Sequence, residues 1–352
     1  MAASMKLTKF EDVDLSDPFF DSLKAGYEEF PAWFAKKANE GQPVYVYQSD
    51  AGTLMGFLYL KIEEGTVEDV SPHLPSARWV KVGTMKIVAH GTKLGERFIK
   101  KIFDFSISNK ADGIYVTVFE EHSSLIRLLK RYNFQQHSTK TTPNGVELVF
   151  VRDLRIFTGD SRKDYPFIHS GGKQAHILAI YPEYHTRLFP DSILNSETSD
   201  IVDDLSYTNA IHKVYICSMN VGKMKTGDIL VMYRTSDKKG PAYYRSVVTS
   251  ICVIEEVKSK KDFPTVGDFI KYALPHSVFS KDELRDWYGS SKRLHVIRMS
   301  YNAAFGRRTT RGKLIDEVGL SSTARWDTFK ITKEQFLKIT AMGEIHESLI
   351  VD

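Results

Sequence analysis

Cysteine is scarce in this chain: two in 352 residues, Cys217 and Cys252. Both lie in alternating apolar runs, where a free thiol behaves as a small buried hydrophobe. Neither a disulfide framework nor a cysteine metal site is expected, and no metal is assigned. Also missing is any apolar run of about 18 residues, the length a membrane-spanning helix needs. The N-terminal stretch MAASMKLTKFEDVDLSDPFF has no apolar segment followed by a small-residue cleavage site, so it does not read as a signal peptide. These absences predict a cytoplasmic protein with no membrane partner. No internal repeat and no low-complexity tract occurs, and nothing in the pattern sets an oligomeric state.

What is present is enough for two cores. With 42% hydrophobic and 26% charged residues over 352 positions, the chain exceeds one comfortable domain. Its net charge of +4 is unevenly placed: 20 basic and 20 acidic residues precede position 156, and 28 basic against 24 acidic residues follow. Within the second half, residues 287–315 hold Lys292, Arg293, Arg298, Arg307, Arg308, Arg311 and Lys313 without one carboxylate. That run predicts a local basic field.

Hydrophobic period supplies the organisation. Residues 17–40 carry aromatics at helical spacing, interrupted at Pro31. PVYVYQSDAGTLMGFLYLKIEEG reads as a hairpin and ARWVKVGTMKIVAH as a long strand. HGTKLGERFIKKIFDFSISNKA reads as a helix entered through a glycine loop, and GIYVTVF as a strand. SSLIRLLKRYNF reads as a helix capped by Ser123 or Ser124, and GVELVFVRDL as a closing strand. This is an α/β (α+β) domain over 1–153. A polar, glycine-bearing connector is expected at 154–174. Short β-type runs then dominate 175–352, namely HILAIY, HKVYICSM, GDILVMYR, YYRSVVTSICVIEEV and RLHVIRMSY. Helical patterns appear there only near 264–274, 281–288 and 333–341, which predicts a mixed, mostly β module of small-barrel type.

The segment Val88-Ala89-His90-Gly91-Thr92-Lys93-Leu94-Gly95-Glu96 sets a glycine loop between strand and helix, where backbone N–H groups can point at an anion. An ordinary strand-to-helix turn explains the loop equally well. Over residues 40–150, however, the order of elements around it resembles the GNAT N-acetyltransferase superfamily. In the loop pattern R/Q-x-x-G-x-G/A, His90 stands at the first position and Gly95 at the last, while Lys93 replaces the middle glycine. The resemblance implies acetyl-CoA as cofactor. The amides of Gly91, Thr92, Lys93, Leu94, Gly95 and Glu96 would hold its phosphates, and the strand edge at Met85 and Ile87 would hold its pantetheine arm. Leu129 stands where the superfamily usually has a tyrosine acid. Acyl transfer to an amine needs a base for the incoming ammonium and an acid for the departing thiolate. His122, Glu63 and Glu64 are the candidate bases and Tyr132 the candidate acid. For each, an exposed or structural role competes with the catalytic one.

IYPEYHTRLFPDSIL, AIHKVYICSM and MKTGDILVMYRTSD resemble the PUA-like superfamily that includes ASCH and EVE modules. With DPFFDSL and KVGTMKI they give the chain the look of a prokaryotic GNAT–PUA-like fusion. That implies RNA or another single-stranded or modified nucleic acid as partner. Arg234 with Tyr233 or Tyr215 would read and stack a base, with Thr235 beside them. His185, Arg187 and Lys213 follow by the same resemblance, and Arg307 and Arg308 lie in the basic run. A barrel-buried Tyr233 is the competing expectation. The functions implied are an N-acetyltransferase acting on an amine of, or near, a bound nucleic acid, or a non-catalytic reader, or a toxin or defence component acting on translation.

Overall fold

The computed structural model describes residues 4–49, 51–88, 94–189, 211–290 and 293–352. The loop residues His90, Gly91, Thr92 and Lys93 lie outside the described residues. The chain divides into two compact units, Met1–Phe157 and Thr158–Asp352.

Unit 1 runs β1 (Ser4–Lys9), α1 (Asp21–Gly26), α2 (Phe30–Asn39), β2 (Pro43–Gln48), β3 (Leu54–Val67), β4 (Leu74–Ile87), α3 (Leu94–Ser108), β5 (Gly113–Val118), α4 (Ser123–Arg131), β6 (Gln135–Thr142) and β7 (Gly145–Asp153). The sheet order is β1-β2-β3-β4-β5-β7-β6. Every neighbouring pair is antiparallel except β4 and β5, whose parallel pairing needs a crossover that α3 supplies. Pro31 does not interrupt a helix. It sits in the first turn of α2, where its missing N–H costs nothing. The cap of α4 also differs from expectation, since the N-cap residue is His122, with no side-chain cap bond.

Strand alternation sorts the two faces of this sheet. Phe57 and Tyr59 of β3 join Phe10, Phe20, Phe30 and Phe34 in one aromatic core under α2. Gly56, the residue before Phe57, faces α3 instead, so closely that a Cβ there would meet the Phe98 ring at 2.7 Å. One face therefore belongs to α1 and α2, the other to α3.

Unit 2 runs β8 (Ile168–His169), β9 (Ala175–Ile180), α5 (Pro182–Leu188), β10 (His212–Cys217), β11 (Ile229–Arg234), α6 (Ala242–Arg245), β12 (Val247–Ser259), α7 (Val266–Ala273), α8 (Lys281–Ser290), β13 (His295–Thr310), α9 (Arg311–Asp316), β14 (Thr328–Ile331), α10 (Lys333–Met342) and β15 (Ile350–Val351). Six strands form a mixed sheet in the order β10-β13-β12-β11-β9-β14. The Tyr215 hydroxyl on β10 donates to the Ala179 carbonyl on β9 at 2.6 Å. Since three strands separate β10 from β9 in the sheet, that bond means the sheet curls back on itself. Every residue of β11 is buried, as its continuous apolar run implies for a strand covered on both faces. The connector is more built than its composition suggests. The buried Asp164 carboxylate accepts from the Thr158 and Gly159 N–H groups, the Thr158 hydroxyl and His169 Nε2.

Candidate active site

β4 and β5 pair only from Trp79↔Gly113 to Val82↔Val116. β4 then continues along β3 to Ile87 without β5. Among the described residues, the β4 edge from Gly83 to Ile87 thus offers backbone N–H and C=O groups with no strand partner over about 15 Å. The parting begins at a bulge. Register passes from Leu60↔Val82 to Tyr59↔Thr84, leaving Gly83 as the extra residue. Only glycine suits that place, because a Cβ on Gly83 would meet the Tyr59 ring at 2.7 Å. Met85 and Ile87 lie half-buried on this edge.

α3 opens at Leu94, just beyond the end of β4. Gly95 packs under α4, its absent Cβ 2.9 Å from Leu128. Glu96 turns toward α4 as well, its nearly buried carboxylate 3.6 Å from Arg131. Among the described residues nothing caps the first-turn N–H groups of α3, donors of the kind that can hold an anion.

On the α1/α2 face, Lys61, Lys81 and Tyr115 stand in one row across β3, β4 and β5. Glu63, two residues from Lys61, lies on the same face and accepts the Tyr115 hydroxyl. Lys61 Nζ is 3.0 Å and Lys81 Nζ 3.8 Å from its carboxylate. Burial acts to raise the Glu63 pKa, but Tyr115, Lys61 and Lys81 outweigh it and hold the group below the usual carboxylate range. Burial, then Glu63, pushes the Tyr115 hydroxyl well up, so that it keeps its proton. Lys81 is pushed down by burial. Glu64 alternates to the opposite face and pairs with Arg78 at the surface. His122 is exposed beyond the end of β5. Tyr132 closes α4 with only 1% of its surface exposed, its ring edge-on to Phe103. Glu63 therefore meets Tyr115, and not the other three candidates.

A second carboxylate–tyrosine pair on this face was missed in the sequence. Phe119, at the end of β5, continues the row of Tyr115 and Thr117, and its ring lies 5.4 Å from Tyr27. The Tyr27 hydroxyl donates to Glu147 of β7 at 3.0 Å. Burial first, then Glu147, Glu121 and Glu29, raises the Tyr27 pKa. Asn144, in the turn before β7, donates to both Glu29 oxygens at 2.9 and 3.0 Å. No local motif joins residues 27 and 147, so only the fold brings them together.

In unit 2 the expected base-reading residues separate. Tyr215 and Thr235 line a cavity of about 290 Å³ with Tyr181, Tyr184, Phe279, Trp287 and Trp326. Tyr233 stands behind this wall, buried against Trp326 with ring centroids 5.0 Å apart. Arg234, Lys213 and His185 lie inside the unit. The His185 Nε2 is 2.9 Å from the Thr249 hydroxyl. Burial, then Arg234 and Arg308, pushes the His185 pKa down to about 3. Lys213 Nζ stands 5.9 Å from the rings of Phe189 and Tyr301, and Arg187 donates to the Val278 carbonyl. The basic run is also divided. Arg298 pairs with the buried Glu255 at 3.0 Å and Arg311 lies over Trp326 at 4.7 Å. Arg308 is half-buried and Arg307 exposed.

No protein-family model matches the chain, and no curated protein does. Among similar solved structures two kinds occur, with each example below covering less than half of the chain. One is ASCH from Zymomonas mobilis, at 11% identity and TM-score 0.33 over 48% of this chain and 94% of that one. The other kind is GNAT-type. NAA60 from Arabidopsis thaliana, in complex with a bisubstrate analogue, is similar at 18% identity and TM-score 0.32, covering 43% of this chain and 98% of that one. A GNAT superfamily phosphinothricin acetyltransferase from Sinorhizobium meliloti, in complex with AcCoA, is similar at 13% identity and TM-score 0.30, over 44% and 89%. Both kinds are similar to this chain only at low identity, each over less than half of its length.

Proposed function

We propose that unit 1 transfers an acetyl group from acetyl-CoA to an amine, and that unit 2 holds the nucleic acid that carries, or lies near, that amine. The observation that carries this reading is the parting of β4 from β5 at Gly83. It leaves a free strand edge that leads from the start of α3 to the face bearing Glu63 and Tyr115.

Acetyl-CoA would supply the activated acyl group as a thioester. The edge at Met85 and Ile87 would hold its extended arm through backbone hydrogen bonds. The first amides of α3, including Leu94, Gly95 and Glu96, with the loop His90–Lys93, would hold its phosphates. In the transfer the amine nitrogen bonds to the acyl carbon, the carbon–sulfur bond breaks, and a proton passes from nitrogen to a base. Glu63 is ionised at neutral pH and its pKa is held low, which makes it a weak base. It suits orienting the ammonium, or a water that removes the proton. His122 is the alternative acceptor of that proton. Tyr115, like Tyr132, is fully buried and gives its hydroxyl hydrogen bond to Glu63, so the departing thiolate would take its proton from water.

A non-catalytic reader is the second reading, favoured by Leu129, which is fully buried where a tyrosine hydroxyl would be expected. Release of free thiol from acetyl-CoA decides between them. With an RNA pool and with simple amines as acceptors, the full chain should release thiol. CoA binding without turnover on any acceptor would favour the reader.

A further inference from the structure

Unit 2 has a second cavity, of about 250 Å³, polar where the first is aromatic and sharing no lining residue with it. The connector turn Gly159–Arg162 forms one wall, the turn Thr226–Gly227 before β11 another, and Glu255 of β12 the floor. Asp164 fixes the connector turn by accepting from the Thr158 and Gly159 N–H groups, while its own N–H donates to the Asp160 carbonyl at 2.8 Å. Lys173 is laid along Gly227, where a Cβ would meet Nζ at 2.7 Å and Cε at 2.9 Å. Gly227 also has a φ of +87°, in the left-handed region that favours glycine. The same residue thus makes the turn and leaves the path for the lysine stem.

The carboxylates in and around this cavity are committed. Asp160 accepts from the Arg162 and Lys163 N–H groups at 2.9 and 3.4 Å. Glu255, whose side chain is fully buried, accepts from His212 Nδ1 and from Arg298 Nε at 3.0 Å. Asp228, beside Gly227, accepts from the Gln174 and Lys225 N–H groups at 3.2 and 2.9 Å. The cations are not committed in the same way. Among the described residues the Lys173 ammonium makes no hydrogen bond or ion pair, and the Arg162 guanidinium comes no nearer to an acid than 3.6 Å, to Glu255. The Ser161 hydroxyl beside them also makes no hydrogen bond among the described residues. The space is short of acceptors and well supplied with donors.

We propose that this cavity binds a phosphate dianion, free or as the end group of a small ester, between Arg162 and Lys173. The planar guanidinium fork suits two phosphate oxygens, and the ammonium supplies a compact charge with three donors. Two cations match a phosphate monoester, which carries a charge of about −1.5 to −2 at pH 7, whereas a carboxylate would leave one of them unmatched. The volume lies below the ~300–1,000 Å³ of drug-sized sites, so it admits the phosphate with a few further atoms. This site depends neither on the nucleic-acid reading of unit 2 nor on the cofactor reading of unit 1.

Inorganic phosphate, ribose 5-phosphate, acetate and a short single-stranded RNA, each titrated into the full-length protein by calorimetry, test this. Phosphate or its ester should bind, and acetate should bind more weakly. Lys173→Met and Arg162→Met should each weaken that binding by about tenfold to a hundredfold, as loss of one charge-assisted hydrogen bond does. Both side chains are exposed, so the variants should keep the circular dichroism spectrum of the wild type. Lys163→Met, next to Arg162 and outside the lining, should change nothing. An ester bound more tightly than inorganic phosphate would assign the end group of a small ester, and the reverse would assign the free ion. No binding of either at millimolar concentration, binding indifferent to Lys173→Met and Arg162→Met, an equal loss in Lys163→Met, or acetate bound as tightly as phosphate would overturn the proposal. RNA binding that falls in Lys173→Met while free phosphate fails to compete with it would also overturn it, in favour of a strand contact.

Discussion

Glu63 and Arg234 both sit near the carboxyl end of an apolar strand run, yet they end in opposite surroundings. Glu63 is about a quarter exposed on a sheet face where Lys61 and Lys81 also reach solvent, while its hydrogen-bond donor Tyr115 is fully buried. Arg234 is 4% exposed, inside a unit where the neighbouring His185 is driven to a pKa of about 3. Unit 1 leaves ionisable groups where a substrate can meet them. Unit 2 encloses Arg234, Lys213 and His185 and lines its cavity with neutral aromatic rings instead. That difference is why we propose proton chemistry in the first unit.

The sharpest way to break this contrast is to remove the carboxylate charge in unit 1. Glu63→Gln should lower kcat by roughly a hundredfold or more while acetyl-CoA affinity stays within a factor of a few, since proton transfer acts in the transition state. His122→Ala should cost less. A reversed order of the two effects would move proton transfer to the end of β5.

Acid should break unit 2 next. The folded pKa of His185 is depressed, so the unfolded chain takes up that proton first, near pH 6.5. Its contribution is fully present above that value and is lost as pH falls toward 3, at up to about 1.4 kcal/mol per pH unit. Thermal melts across pH 4 to 7 should steepen in the wild type and flatten in His185→Gln. Parallel curves would mean that His185 is protonated in the fold.

A smaller effect, of opposite sign, belongs to Glu147. It is 5% exposed, accepts the Tyr27 hydroxyl, and has no lysine, arginine or histidine within ion-pair distance among the described residues. A buried carboxylate without a counter-charge is costly, and the amide oxygen of a glutamine in its place would still accept the Tyr27 hydroxyl. Glu147→Gln should therefore raise the melting temperature, by about 2–4 °C per kcal/mol relieved. A fall would make the charge itself structural. The smallest change is expected for Arg307→Ala. As one exposed phosphate contact, it should lower the slope of log affinity against log salt for single-stranded RNA by about 0.7. An unchanged slope would leave Arg307 off the path of the strand.

Period and turn chemistry made β2 through α4 legible, because each strand or helix has one apolar face. β6 was not legible. Its sequence QQHSTKTT contains no apolar residue, and it is a strand because it pairs with β7 at the sheet edge, where polar residues also guard against edge-to-edge association. YYR before β12 read as strand and forms the short helix α6. Of the sites, Glu63 was nameable from its place at the end of KIEEG, but Tyr115, 52 residues away, was not. Trp326 and Trp287 were equally hidden, since nothing local marks an aromatic that faces a cavity. Arg234 was over-read, because a terminal polar residue on a wholly buried strand looks in sequence like a strand end at the surface.

The parting of β4 and β5 is proposed as a cofactor slot. Calorimetric titration of CoA into the full chain, beside Gly83→Val, tests it directly. The wild type should bind, and the variant, whose new side chain would press on the Tyr59 ring at the bulge, should lose binding while keeping its circular dichroism spectrum. Absence of heat with the wild type at millimolar CoA, or equal binding by a folded Gly83→Val, would contradict it.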